Sequence, residues 1–203
     1  MNETLKRALS GSVYVAIMWF GTFCSELSFH ILFVVILLVC LYEMYKLRKG
    51  KTKILALLYM LPPLLLVHFI KTELILIMFV LTWTFDTFAY LLGVKFGEHK
   101  IMPTVSPKKS WEGFVGGFIF TVIAAYPTKI YLIPEIELSQ AIIISLFLPF
   151  TATLGDFIES HYKREAVVKD SGNFIPGHGG MLDRMDAFMI TIPALYIYLS
   201  LIK

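Results

Sequence analysis

Apolar runs of about 20 residues alternate with short polar segments along most of the chain. They fall at about 9–25, 28–45, 54–70, 74–94, 113–133, 138–160 and 185–202. A helix needs about 20 mainly apolar residues to cross the hydrocarbon layer, and in lipid each backbone polar group must be satisfied within the segment. The pattern therefore predicts an all-α integral membrane protein, a polytopic helical bundle with about seven transmembrane helices. The first run is short and is interrupted by Gly21. The third carries Pro62-Pro63, where neither residue can donate to the helix ladder, so a kink is expected. Two longer polar stretches, 95–112 and 161–184, break the alternation.

Composition agrees with this pattern. The chain is 57% hydrophobic and 16% charged, against about 45–50% apolar and about 25% charged in soluble domains. It contains no internal repeat, low-complexity tract or separable soluble segment, so 1–203 reads as a single membrane-embedded domain. Lys6-Arg7 before an apolar run resembles a signal peptide. No A-x-A-like cleavage site follows, and the run is expected to stay as an anchor. Cys24 and Cys40 lie in apolar runs and read as small buried hydrophobes, not as a disulfide or a zinc site.

Charge placement adds an orientation. With the N-terminus inside, all but three of the 18 Lys and Arg residues fall on inner segments, the exceptions being Lys71, Lys129 and Lys203. Positive charge in short loops marks the cytoplasmic side, so 95–112 and 161–184 are expected in the cytoplasm. The basic loop 46–53 reads as a topology signal, and so small a patch argues against nucleic acid.

Candidate chemistry concentrates in 155–186. Asp156, Glu159, Ser160 and Lys163 are spaced to share one helix face. A carboxylate at the bilayer centre costs about 2.5–3.5 kcal/mol on insertion scales, so such acids mark function. Asp183 and Asp186 repeat the spacing at the start of the seventh run, where the helix dipole favours carboxylates. Hard carboxylate oxygens suit Mg²⁺. Lys163, Arg164, Lys169 and Arg184 are candidates for phosphate. Gly177-His178-Gly179-Gly180 would let backbone N–H groups approach an anion; His178 itself reads either as a phosphate contact or as loop packing. Ser106-Pro107-Lys108-Lys109-Ser110-Trp111-Glu112-Gly113 reads as a second phosphate site. Asp86, alone in the fourth run, is either a metal ligand or a polar contact between helices.

These residues resemble the CDP-diacylglycerol synthase (phosphatidate cytidylyltransferase) family. The resemblance rests on Ser160-His161-Tyr162-Lys163-Arg164, Lys169-Asp170-Ser171-Gly172 and Pro176-Gly177-His178-Gly179-Gly180-Met181-Leu182-Asp183-Arg184-Met185-Asp186. Gly155-Asp156-x-x-Glu159, the Ser106–Gly113 run and Asp86-x-x-Ala89-Tyr90-x-x-Gly93 add to it. It covers about 80–190; Tyr162 departs from the usual aliphatic residue or Phe, and bacterial members usually carry further N-terminal membrane segments.

The resemblance implies transfer of a cytidylyl group from CTP to phosphatidate with Mg²⁺, and leaves room for a second cation. Asp183, Asp186, Asp156 and Glu159 would hold the metal. Lys163, Arg164 and Lys169 would act in catalysis. Ser106, Lys108, Lys109, His178, Gly179, Gly180 and Arg184 would bind substrate, the two lysines meeting either the lipid phosphate or the leaving pyrophosphate. A homodimer in the plasma (inner) membrane, its site facing the cytoplasm, is also implied. Two other readings compete: a CTP-dependent polyprenol or phytol kinase and a membrane cation transporter.

Overall fold

A computed structural model describes residues 3–49, 51 and 53–202. The side chains of Lys6 and Arg7, part of the charge asymmetry, lie outside the described residues, as does Lys203. Among the described residues the chain forms seven α-helices: α1 Glu3–Phe23, α2 Glu26–Leu47, α3 Ile54–Leu66, α4 Thr72–Phe96, α5 Trp111–Pro127, α6 Leu138–Glu165 and α7 Leu182–Leu201. Each predicted apolar run becomes a helix. Four helical segments are long and apolar enough to cross a membrane: α2, α4, α6 and α5 with the π turn Thr128–Leu132 that extends it. Leu9–Phe23 and Ile54–Phe69 are apolar but shorter.

Local sequence accounts for most boundaries. Ser25 starts α2 through a capping box with Ser28, which satisfies two otherwise orphaned N–H groups. Helical structure runs through Pro62 and Pro63, and α3 gives way to a 3₁₀ turn at Val67–Phe69. Cys40 is buried as expected, whereas Cys24 is exposed at the α1–α2 turn, where the helix packing ends.

The bundle is apolar inside and out. Phe33, Met60, Ile77, Leu148 and Leu195 are fully buried between α2, α3, α4, α6 and α7. Leu38, Val94, Ile123 and Phe150 point outward and are more than half exposed. An apolar exterior of this kind suits hydrocarbon, which supplies no hydrophobic drive between helices, so the helices associate through close packing. The α4–α5 pair shows this: a Cβ at Gly113 would sit 3.0 Å from the Cα of Gly93, and one at Gly117 would sit 2.9 Å from the Cβ of Ala89.

The polar stretch 95–112 is more ordered than a plain loop. Strand β1, Lys100–Met102, pairs antiparallel with β2, Ser106–Ser110. Alternating polarity is nearly absent there, so the sequence carries no strand signal. The hairpin is tied to α5 by Ser110, which accepts from the Gly113 N–H at 3.2 Å, and by the Trp111 N–H, which donates to the His99 carbonyl at 2.9 Å. His99 Nδ1 lies 2.6 Å from Glu112, whose hydrogen bond and charge raise the imidazole pKa above its ordinary value.

Candidate active site

Helix α6 runs to Glu165, five residues beyond its predicted apolar end, and so carries Asp156, Glu159, Ser160 and Lys163 on one face. At Gly155 it crosses α7 closely. A Cβ there would lie 3.1 Å from the carbonyl carbon of Asp186 and 3.5 Å from the Cα of Ala187. The crossing brings Asp186 beside the α6 acids, and one carboxylate oxygen from each of Asp156, Glu159 and Asp186 lies within 4.8 Å of the others. Gly155→Ala should force these backbones apart. Overpacking of this kind costs about 1–3 kcal/mol, so a melting temperature several degrees lower is expected; an unchanged melt would refute the close-crossing account.

The acidic group fits a hard divalent cation. Glu159 is 0% exposed; its Oε2 pairs with Lys163, and its Oε1 accepts no hydrogen bond among the described residues. Buried polar oxygens are normally satisfied, and a cation bound by all-oxygen ligands would satisfy this one. Asp156 accepts from Ser160 Oγ at 3.0 Å and pairs with Lys109 from the hairpin.

Asp183 stands apart from this group. Its Oδ1 accepts from Lys163 Nζ at 2.8 Å. Its Oδ2 accepts from the Gly180 N–H at 2.7 Å, the Ser171 N–H at 2.9 Å and Ser171 Oγ at 3.0 Å. In these contacts the carboxylate holds the loop and Lys163 in place. Gly179 makes the approach possible: its φ is +87°, and a Cβ would sit 2.7 Å from Asp183 Oδ2. Within the turn expected to face an anion, two N–H groups are engaged, and so are the two that follow it. Gly180 donates to Asp183, His178 donates to the Ile175 carbonyl at 2.9 Å, and Met181 and Leu182 donate to Glu43.

Of the remaining cations, Lys108, Lys109 and Arg184 border two cavities. One, of about 580 Å³, is lined by Ser106, Lys108 and Lys109 and by Tyr90, Val94 and Phe114. The other, of about 240 Å³, is lined by His178, Asp183, Arg184 and Asp186. Asp86 borders both cavities. Arg184 donates to the His178 carbonyl at 2.9 Å and Arg164 to the Val168 carbonyl at 3.0 Å, while Lys169 is exposed on the loop.

Two features escaped the sequence reading. Glu43, within the apolar run 28–45, reaches the start of α7; an acid in such a run was the available signal, as it was for Asp86. The basic loop 46–53, expected only to set topology, also anchors α6: Arg48 pairs with Glu165, and Lys51 donates to the Glu165 carbonyl at 3.0 Å. Arg48 also lies 5.2 Å over the ring of Tyr162, which gives the unusual residue at that position a packing role.

The fold and this geometry define a polytopic helical membrane protein with a three-carboxylate centre set among phosphate-type cations. Residues 64–202 match the profile of the Cytidylyltransferase family, and the chain belongs to that family. It is similar to the phosphatidate cytidylyltransferase of Staphylococcus saprophyticus, with 46% identity over 125 residues, covering 62% of this chain and 48% of the relative. The protein of that name from Thermotoga maritima is 45% identical over 130 residues, covering 60% and 47%. That from Bacillus subtilis is 42% identical over 122 residues, covering 60% and 45%. The chain spans about half the length of the curated relatives it matches.

Proposed function

We propose that the protein transfers a cytidylyl group from CTP to phosphatidate, forming CDP-diacylglycerol and pyrophosphate. The observation that carries this reading is the convergence of Asp156, Glu159 and Asp186, with Asp156 paired to Lys109, which lines a cavity together with Ser106, Lys108, Tyr90, Val94 and Phe114. The similarity to proteins named phosphatidate cytidylyltransferase supports it. An oxygen of the lipid phosphate attacks the α-phosphorus of CTP in line. The bond from that phosphorus to the bridging oxygen breaks, and pyrophosphate leaves with the electron pair. The attacking oxygen is ionised near neutral pH, so no strong general base is required, and catalysis is positioning plus charge neutralisation.

Asp156, Glu159 and Asp186 would hold Mg²⁺, which when bound would supply charge neutralisation for the triphosphate. Asp183 fixes the loop and Lys163. Lys163, Arg164, Lys169 and Arg184 place positive charge around the phosphates, with His178, Gly179 and Gly180 shaping that wall. Ser106, Lys108 and Lys109 meet the lipid phosphate, and the acyl chains leave along the apolar side of the larger cavity. We place the protein in the plasma membrane with this site facing the cytoplasm, and propose a homodimer.

Purified protein given labelled CTP, phosphatidate and Mg²⁺ is expected to yield labelled lipid and pyrophosphate, and excess EDTA is expected to stop the reaction. Absence of labelled lipid would refute the reaction; full activity in EDTA would refute the metal. Orientation has its own test. Thr104 and Asn173 are exposed on the two polar segments, so cysteines introduced there in a chain carrying Cys24→Ser, which removes the exposed native thiol, should escape an impermeant thiol reagent applied to intact cells. Strong labelling of either would reverse the orientation.

A further inference from the structure

Glu43 is a carboxylate in the apolar helix α2, only 4% exposed, and it lies outside the segment matched by the family profile. None of the ion pairs among the described residues involves it. Burying an acid without a cation is costly unless hydrogen bonds satisfy it, and here the bonds come from the loop and from α7. Oε1 accepts from the Met181 N–H at 3.1 Å; Oε2 accepts from the Leu182 N–H at 2.8 Å and from Ser171 Oγ at 3.0 Å.

Those two N–H groups open α7, and Met181, its N-cap, provides no side-chain cap. The first N–H groups of a helix lack intrahelical partners and favour negative charge. Another helix supplies the cap here, from a residue more than 100 positions earlier. The loop leaves room for it: a Cβ at Gly180 would lie 2.7 Å from Oε1, and one at Gly172 would lie 2.9 Å from the carboxyl carbon. Ser171 Oγ is 3.0 Å from both Glu43 and Asp183, and its single proton serves one carboxylate at a time. Glu43 is thus three contacts from Lys163, by way of Ser171 and Asp183, and Lys163 pairs with Glu159 of the acidic centre.

We infer that Glu43 is a positioning residue. It pins the start of α7 and the loop at Ser171 to α2, and so sets Asp183 and Lys163 against the three-acid centre. The kinetic part of this inference rests on the cytidylyltransferase reading; the structural part does not.

Glu43→Gln keeps the shape and replaces one acceptor oxygen with an NH₂ group. In either amide orientation that donor faces a backbone N–H. The expected variant is monodisperse in detergent, with faster amide hydrogen exchange confined to peptides across 171–183 and unchanged protection in α3 and α4. With CTP and phosphatidate its kcat should fall roughly tenfold to hundredfold, the scale for losing hydrogen bonds to a charged group, while the KM for phosphatidate stays within about twofold. Glu43→Asp, which keeps the charge on a shorter arm, should recover part of kcat. A merely structural acid would instead lower the melting temperature and raise exchange everywhere, with kcat per folded molecule unchanged; that result overturns the proposal, as does exchange at 171–183 and kcat both within about twofold of the unmutated protein.

If Glu43→Gln does not fold, Ser171→Ala removes only the side-chain link. Local loosening of the loop then supports the proposal, and unchanged exchange with unchanged kcat overturns it. If the unmutated chain makes no labelled lipid while Glu43→Gln still loosens 171–183, the reaction assignment fails and the positioning role stands.

Discussion

Asp186→Asn, Asp156→Asn and Glu159→Gln are each expected to reduce kcat by at least about a hundredfold to a thousandfold. That is the scale reported for losing a single preorganised electrostatic group, and a lost cation removes more than one. Each variant also removes a carboxylate from a group whose oxygens lie within 4.8 Å. Part of the activity should return as Mg²⁺ is raised, because the two remaining acids still bind it weakly. Asp183→Asn should lose activity differently. Its carboxylate accepts hydrogen bonds from Lys163 and from the Gly180 and Ser171 N–H groups, and shares the Ser171 hydroxyl with Glu43. The amide should loosen the loop, and excess Mg²⁺ should not rescue it. Mg²⁺ titrations of all four variants make the check. Identical metal dependence in Asp183→Asn and Asp186→Asn would erase the division of labour proposed for these acids, and near-normal activity in all four would remove the metal centre.

The second large effect is expected from Lys108 and Lys109. Changing both to Gln should lower kcat/KM for phosphatidate roughly tenfold to hundredfold per lost phosphate contact. The two lysines line the same cavity, together with Tyr90, Val94 and Phe114. Lys109 also pairs with Asp156, so Lys109→Gln alone should disturb the metal requirement while Lys108→Gln alone should not. The double Arg variant should fall between, because a planar guanidinium keeps the charge but not the compact ammonium. Separate titrations of CTP and phosphatidate decide the matter. A loss confined to CTP would move the nucleotide into this cavity, and changes below about twofold in both would leave the lysines as topology signals.

The sequence by itself determined the membrane class, the positions of the helices and the stretch where the chemistry gathers. Those properties are local and additive. Hydropathy sums residue by residue, and helical spacing alone puts Asp156, Glu159 and Lys163 on one face. Tertiary structure decided which partner each charged group meets, because that depends on distances between segments far apart in the chain. The α6–α7 crossing at Gly155 joined Asp186 to the α6 acids, while the folded loop claimed Asp183. The hairpin carried Lys109 to Asp156 from another segment. Glu43 reached α7 from 139 residues away in sequence, and no local pattern encodes a contact of that span. Of the glycine turn expected to cradle an anion, the fold gives the Gly180 N–H to Asp183, and it gives the Met181 and Leu182 N–H groups just beyond to Glu43, because a buried donor takes the nearest acceptor that three-dimensional packing brings to it.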